Sequence, residues 1–200
     1  MTMNEFDSKA RTWDMDQKHV DRAEAIAAAM LKHVKLSPDM KALEYGAGTG
    51  LLSFLLRDEF QSILLMDNSK EMISVCNDKI DFYNAKNIIA LYYDLENHDY
   101  PGKFDVIFNQ MVLHHVKDPS ALLQKFQGML NDHGQLVIAD LYEEDGSFHD
   151  GDTDVHKGFN PDELLKSLLT KGFSKGNFTE CFKVSKNDKL YPVFLLVVKK

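Results

Sequence analysis

The sequence predicts an α/β fold: a doubly wound, mostly parallel sheet with helices on both faces. Three observations carry the prediction. Short apolar runs alternate with helical stretches from residue 41 to 141. The runs "ILLM", "DVIF" and "LVIA" are apolar on both faces, as strands covered from both sides are. Beyond residue 172, "NFTECFKVSKNDKLYPVFLLVVKK" reads as two strands around a Lys-Asn-Asp-Lys turn, an antiparallel hairpin that closes the sheet.

The elements follow in order. Residues 15–35 form an alanine-rich amphipathic pattern that Ser37-Pro38 ends. Strands are expected at 41–45, 62–67, 88–92, 104–109 and 135–141, with helices near 50–58, 69–83, 119–130 and 161–171. Asn68 with Glu71 three residues later reads as a helix start. Asp118 before Pro119, and Asn160 before Pro161 and Glu163, repeat that logic, and Gly172 ends the last helix. The loop from 142 to 159 is long, acidic and glycine-containing, in the manner either of a lid or of a mobile surface loop.

Composition narrows the function. The chain has 200 residues, 44% hydrophobic and 27% charged, as expected for a single globular domain. No run approaches the ~20 apolar residues of a membrane span, and "MTMNEFDSKARTWD" lacks the apolar core of a secretory signal, so a cytoplasmic location is expected. Cys76 and Cys181 fit no metal spacing and read as free thiols. Net charge is −8, and only Arg11, Arg22 and Arg57 represent arginine, so no nucleic-acid partner is expected. The last thirty residues hold seven lysines against two acids, a solvated face, whereas residues 140–154 carry seven acids and no lysine or arginine.

The chemistry centres on "LEYGAGTG", residues 43–50. Alternating glycines after a strand bring bare backbone N–H groups close to a ligand. The nicotinamide fingerprint needs its third glycine three residues after the second. Leu51 stands there, and Gly50 comes two residues after Gly48. No lysine follows, so the turn is not a P-loop either. Asp67 ends the next strand, nineteen residues after Gly48, where a carboxylate can accept both ribose hydroxyls of an adenosine. Asp94 ends the third strand in "YYDLE" and can accept from an adenine amino group.

With these motifs on view, the chain resembles the class I S-adenosylmethionine-dependent methyltransferases. "ALEYGAGTGLLSFLL", "LLMDNSKEMI" and "YYDLE" resemble that family's first three motifs, and "FDVIFNQMVLHHVKDPSALLQKFQGMLNDHGQLVIADL" the later ones. "FNQMVLHHVKDP" and "FDSKARTWD" are especially similar to small-molecule enzymes of the ubiquinone/menaquinone-biosynthesis type. The resemblance covers about 1–141 clearly and 156–200 loosely.

It implies a Rossmann-like seven-stranded sheet of order 3-2-1-4-5-7-6 with strand 7 antiparallel. It divides the one domain into an N-terminal helical segment or lid (1–38), a cofactor-binding core (39–141) and the acidic loop, last helix and hairpin (142–200). S-adenosylmethionine is the implied cofactor, with S-adenosylhomocysteine as product. Glu44 and the backbone of Gly46, Ala47, Gly48 and Gly50 would lie along the methionine moiety, and Asp67 would hold the ribose. Asn68 and Met72 would flank the adenosine, and Asp94 and Leu95 would meet the adenine. Asn109, Gln110 and Met111 would face the methionine end and the incoming nucleophile, and Trp13 would close over the cofactor.

The expected reaction is methyl transfer to a small-molecule acceptor, by a monomer or homodimer. Two other readings stay open: a non-catalytic S-adenosylmethionine or S-adenosylhomocysteine binder that regulates a partner, and a nicotinamide dehydrogenase, which the glycine spacing disfavours. A protein or RNA methyltransferase lacks support, since neither an Asn-Pro-Pro-Tyr-type motif nor a basic groove is present.

His114 and His115 follow the fourth strand, at the strand ends where ligands bind in open α/β sheets, and are candidate bases or acceptor-positioning groups. His156 joins them because "VHKGFNPDELL" resembles the segment before the last helix in related enzymes. His149 lies in the acidic loop, while His19, His33, His98 and His133 read as structural. "DGDTD" puts Asp150, Asp152 and Asp154 at the first, third and fifth places of a calcium loop. Val155 and Pro161 then stand where glycine and glutamate are needed, so no metal is expected.

Overall fold

The computed structural model describes residues 6–150 and 154–200. Seven strands form one sheet: β1 (Ser37–Tyr45), β2 (Phe60–Asp67), β3 (Ile88–Tyr92), β4 (Phe104–Gln110), β5 (Leu130–Leu141), β6 (Gly176–Lys186) and β7 (Lys189–Lys199). Their order is β3-β2-β1-β4-β5-β7-β6. The first five pair in parallel, and β7 runs antiparallel to both β5 and β6. Among the described residues five α-helices accompany them: α1 (Gln17–His33), which precedes β1, then α2 (Leu51–Leu56), α3 (Lys70–Tyr83), α4 (Pro119–Met129) and α5 (Pro161–Thr170). No helix among the described residues is long and apolar enough to cross a membrane.

The all-apolar strands are explained by two hydrophobic layers. Ala42, Val106, Val137 and Leu195 pack on one side with Ile26 and Met30 of α1, Leu52 of α2 and Cys76 of α3. Their neighbours Leu43, Ile107, Leu136 and Leu196 pack on the other with Phe126 of α4 and Leu168 of α5. Successive side chains of a strand point to opposite faces, so a strand covered twice cannot alternate with polar residues.

Three local expectations are corrected. α1 ends at His33, ahead of Ser37 and Pro38, but those two residues already open β1, before the expected start at 41, since Pro is tolerated at the start of a strand. The α3 cap is Ser69, not Asn68: its hydroxyl accepts from Met72 N at 3.2 Å. β5 starts at Leu130, immediately after α4, and bends at His133, whose φ is +65°. Asp118 and Asn160 cap α4 and α5 as expected, accepting from Ala121 and from Asp162 and Glu163. The hairpin turn falls at Asn187 and Asp188, whose φ values of +51° and +58° suit a tight hairpin.

The described parts of the 142–159 loop return on themselves. Glu143 N donates to Phe159 O at 3.1 Å and Glu144 N to Lys157 O at 2.9 Å. Gly158 permits the close return: a Cβ there would stand 2.2 Å from the Tyr142 carbonyl oxygen. Of the three aspartates of the calcium-loop pattern, Asp152 lies outside the described residues.

Candidate functional site

The site forms where the chain leaves the C-terminal ends of the parallel strands. One cavity of about 770 Å³ opens there. Trp13, Gly46, Ala47, Gly48, Asp67, Asn68, Met72, Gln110, Met111, His114 and His115 all line it. Most of the expected site therefore converges in space.

At one end lies the glycine turn. Gly46 and Gly48 have φ of +64° and +55°, and a Cβ on Gly46 would sit 2.6 Å from the Val112 side chain. The turn thus requires glycine both for its backbone angle and for closeness to the chain after β4. Asp67 faces it: one carboxylate oxygen accepts from Gly48 N at 2.8 Å, and the other from Ser69 N at 2.8 Å. Burial raises the Asp67 pKa above the ordinary carboxylate value, and the N–H groups of Gly48, Ser69 and Asn68 oppose that rise.

The N-terminal segment straps this end. Asp7–Met15 winds as a 3-10 helix. Asp14 accepts from the Thr49 hydroxyl at 2.5 Å and from Lys79 Nζ at 2.8 Å, and Asp7 accepts from the Ser69 hydroxyl at 2.6 Å. Trp13 is held in the cavity wall with its ring stacked on His19, centroids 3.9 Å apart.

A further stretch of the cavity wall is rich in imidazole. His114 and His115 sit on a 3-10 turn, Leu113–His115, after β4. Asp140, near the end of β5, is fully buried and meets His114 Nδ1 at 2.6 Å. Burial alone would raise the Asp140 pKa; the charge and hydrogen bonds of His114 and the Leu141 N–H outweigh it and hold the carboxyl below the usual range. A carboxylate at Nδ1 makes that nitrogen the proton carrier, so in the neutral ring the lone pair is on Nε2. Burial, then the neighbouring His114 and His149, lower His115 to about 3, so its ring is uncharged at neutral pH. Met111, which leads into this turn, holds φ of +53°, a left-handed angle uncommon outside glycine and concentrated at functional sites.

Six expected residues are not brought to the cavity wall. Gly50 caps α2, and Leu95 is wholly within the core. Asp94 turns its carboxylate to Asn97, accepting from its backbone and side-chain N–H groups at 3.2 and 2.7 Å, while Glu96 lines the cavity. Asn109 is buried beneath the wall with neither end of its amide hydrogen-bonded among the described residues. His156 supports the His114 turn: its N–H donates to His114 O at 2.8 Å, and its Nε2 meets the Val116 carbonyl at 3.1 Å, which makes that nitrogen a donor.

Glu44 is fully buried, with the Ser53 hydroxyl 2.5 Å from its Oε2. Burial pushes its pKa up to about 8, against the opposing Ser53 hydrogen bonds and Lys79 charge. A carboxyl raised in the fold stabilises the protein fully below its unfolded value of 4.5, and that contribution is lost as pH rises through about 8. Glu44→Gln should therefore gain in melting temperature relative to the unmodified chain between about pH 5 and 8. A difference that stays constant across that range would contradict the assignment.

Sequence reasoning missed Arg22, His19, His149, Phe6 and Glu96 in the cavity wall. Arg22 is the most telling. Its Nε is buried with no hydrogen-bond partner among the described residues, and burial lowers its pKa to about 10, leaving it charged at neutral pH. The available signal was a lone arginine on an alanine-rich helix in a chain with three arginines.

A family profile described as "Methyltransferase domain" matches residues 36–194. An uncharacterized methyltransferase, C1347.09, of Schizosaccharomyces pombe is 30% identical over 154 residues, 72% of this chain and 52% of that protein. The chain thus spans about half of that relative's length. Among solved structures, a methyltransferase in complex with the Haloferax volcanii Trm112 methyltransferase activator superposes with a TM-score of 0.80 at 17% identity, covering 100% of this chain and 98% of that one. The N-methyltransferase NodS of Bradyrhizobium japonicum, in complex with S-adenosylhomocysteine, superposes with a TM-score of 0.71 at 16% identity, covering 94% and 91%.

Proposed function

The chain belongs to the methyltransferase-domain family, and from that premise we propose that it transfers the methyl group of S-adenosylmethionine to a small-molecule acceptor. The observation that carries the reading is one cavity lined both by the Asp67–Gly48 pair and by His114, which the buried Asp140 backs from outside the wall.

The residues fit the cofactor on their own chemistry. Asp67 offers a carboxylate for the ribose hydroxyls, and Asn68 and Met72 wall the adenosine. The backbone of Gly46, Ala47 and Gly48 admits the methionine chain, and Trp13, in the Asp7–Met15 strap, covers it. Arg22, a half-buried cation whose buried Nε has no hydrogen-bond partner among the described residues, holds the methionine carboxylate. Bound there, S-adenosylmethionine supplies a methyl group on a sulfonium that leaves as a neutral thioether. The protein's part is alignment and exclusion of water. Gln110 and Met111 border the reacting end. Asp140 orients His114, whose Nε2 takes a proton from the acceptor, and the same carboxylate stabilises the resulting imidazolium. His115, lowered to about 3, is too weak a base for that step and positions the acceptor instead. With a net charge of −8, the surface suits a small acceptor better than a nucleic acid.

Calorimetry tests the cofactor reading. S-adenosylhomocysteine should bind one-to-one, and NADH should not. Arg22→Ala should weaken S-adenosylhomocysteine binding about tenfold or more, the scale of a lost charged hydrogen bond. An analogue lacking the carboxylate should bind both proteins alike. Equal loss for both ligands would move Arg22 away from the carboxylate, and no binding to the unmodified chain would sink the reading.

A further inference from the structure

We propose that His114, His115 and His149 form a binding site for a divalent transition-metal ion of the zinc type at the acceptor end of the cavity. One ligating nitrogen from each lies within 4.8 Å of the others. The rings are neighbours: centroids stand 4.2 Å apart for His114–His115, 5.0 Å for His114–His149 and 5.1 Å for His115–His149. Two of these residues come from the turn after β4 and the third from the loop after β5, so the fold assembles the group. From the sequence no metal was expected, since the calcium-loop pattern fails at Val155 and Pro161 and the cysteines fit no metal spacing.

Imidazole sets suit zinc and its transition-metal neighbours, and three protein ligands leave a tetrahedral ion one position for a ligand from the cavity. A second, independent observation supports the site. A metal-ligating histidine ordinarily donates its other ring N–H to a carboxylate, which fixes the tautomer. Asp140 does this for His114 at 2.6 Å, and it is itself fixed by the Leu141 N–H at 2.7 Å. Its buried negative charge lies behind the ligands, where it offsets a cation. Arg22, Lys9 and Lys186 also line the cavity. Of these, Lys186 is paired with Asp150 at 3.0 Å, and Asp154 adds a carboxylate to the wall.

The fourth position would take an oxygen, nitrogen or sulfur donor of the acceptor. With an ion bound, the His114 Nε2 lone pair would be held by the metal and could not take the acceptor's proton; coordination would instead lower the donor's pKa, so that its proton passes to solvent before the methyl group is transferred. The site stands on its own residues and does not depend on which acceptor is methylated.

The test uses the untagged full chain, stripped with a chelator and titrated with zinc chloride by calorimetry, with cobalt(II) absorption as a second readout. One ion per chain is expected, with cobalt giving a tetrahedral spectrum. His149→Ala should lose at least about 100-fold in zinc affinity, and Asp140→Asn about 10–100-fold, the usual worth of an outer hydrogen-bond partner. His33→Ala, an exposed histidine of α1, should bind zinc unchanged. Because His114 is buried and its loss endangers folding, the half-buried His149 carries the test, with thermal melts confirming that each variant is folded. Absence of stoichiometric zinc binding, or equal binding by the unmodified chain and His149→Ala, would overturn the proposal. S-adenosylhomocysteine affinity measured on the same zinc-free samples keeps failure here distinct from failure of the cofactor reading.

Discussion

Asp67→Ala should raise the dissociation constant of S-adenosylhomocysteine at least about tenfold, a loss of ~1.5 kcal/mol or more. Two effects add. The ribose hydroxyls lose an ionised acceptor, and hydrogen bonds to a charged group are worth more than neutral ones. The N–H groups of Gly48 and Ser69, both at 2.8 Å from this carboxylate, lose their partner as well, so the glycine turn loosens. Asp67→Asn separates the two. It keeps the size but sets an NH₂ against one of those backbone donors, and should fall at or beyond the alanine variant. Calorimetry at one salt concentration is the check, and unchanged affinity in both variants would end the ribose assignment.

Asp140→Asn should cut turnover by about 100-fold or more, within the range of a lost acid–base function. The measurement needs an acceptor found by screening with methyl-labelled cofactor. The amide can no longer stabilise an imidazolium at His114, and it can hold the ring in the wrong tautomer. S-adenosylhomocysteine affinity should stay within about twofold, since Asp140 is not in the cavity wall. The acid limb of the pH–rate profile should move as well, which a merely structural role for Asp140 would not produce. Full turnover with an unshifted profile would remove the pair from the mechanism.

The glycine turn, Asp67 and the alternation of strands with helices were legible because they are local or nearly so, whereas the strand order followed only from the family resemblance. A strand buried twice must be apolar throughout, and a backbone angle of +64° beside Val112 demands glycine at 46. The caps at Asp118 and Asn160 were legible for the same reason, while Asn68 and Ser69 offered adjacent polar residues and the pattern pointed to the wrong one. What was not legible depends on closure of the chain in three dimensions. His149 reaches His114 only because the loop after β5 folds back under Tyr191, whose ring packs on Phe148 at 5.0 Å. Arg22 joins the cavity because Asp14 ties the segment before α1 to Thr49. His156 shows the reverse case. Its sequence setting suggested chemistry, but its backbone N–H and its Nε2 hold the turn through His114 and Val116, and it does not line the cavity.

In the proposed reading, this cavity holds S-adenosylmethionine with its reacting end toward the histidines, and a crystal structure with S-adenosylhomocysteine is the decisive measurement. The ribose hydroxyls should lie on Asp67, the methionine carboxylate on Arg22, and the sulfur should face Gln110 and His114. S-adenosylhomocysteine bound elsewhere, or bound with its sulfur turned away from the His114 turn, would contradict it.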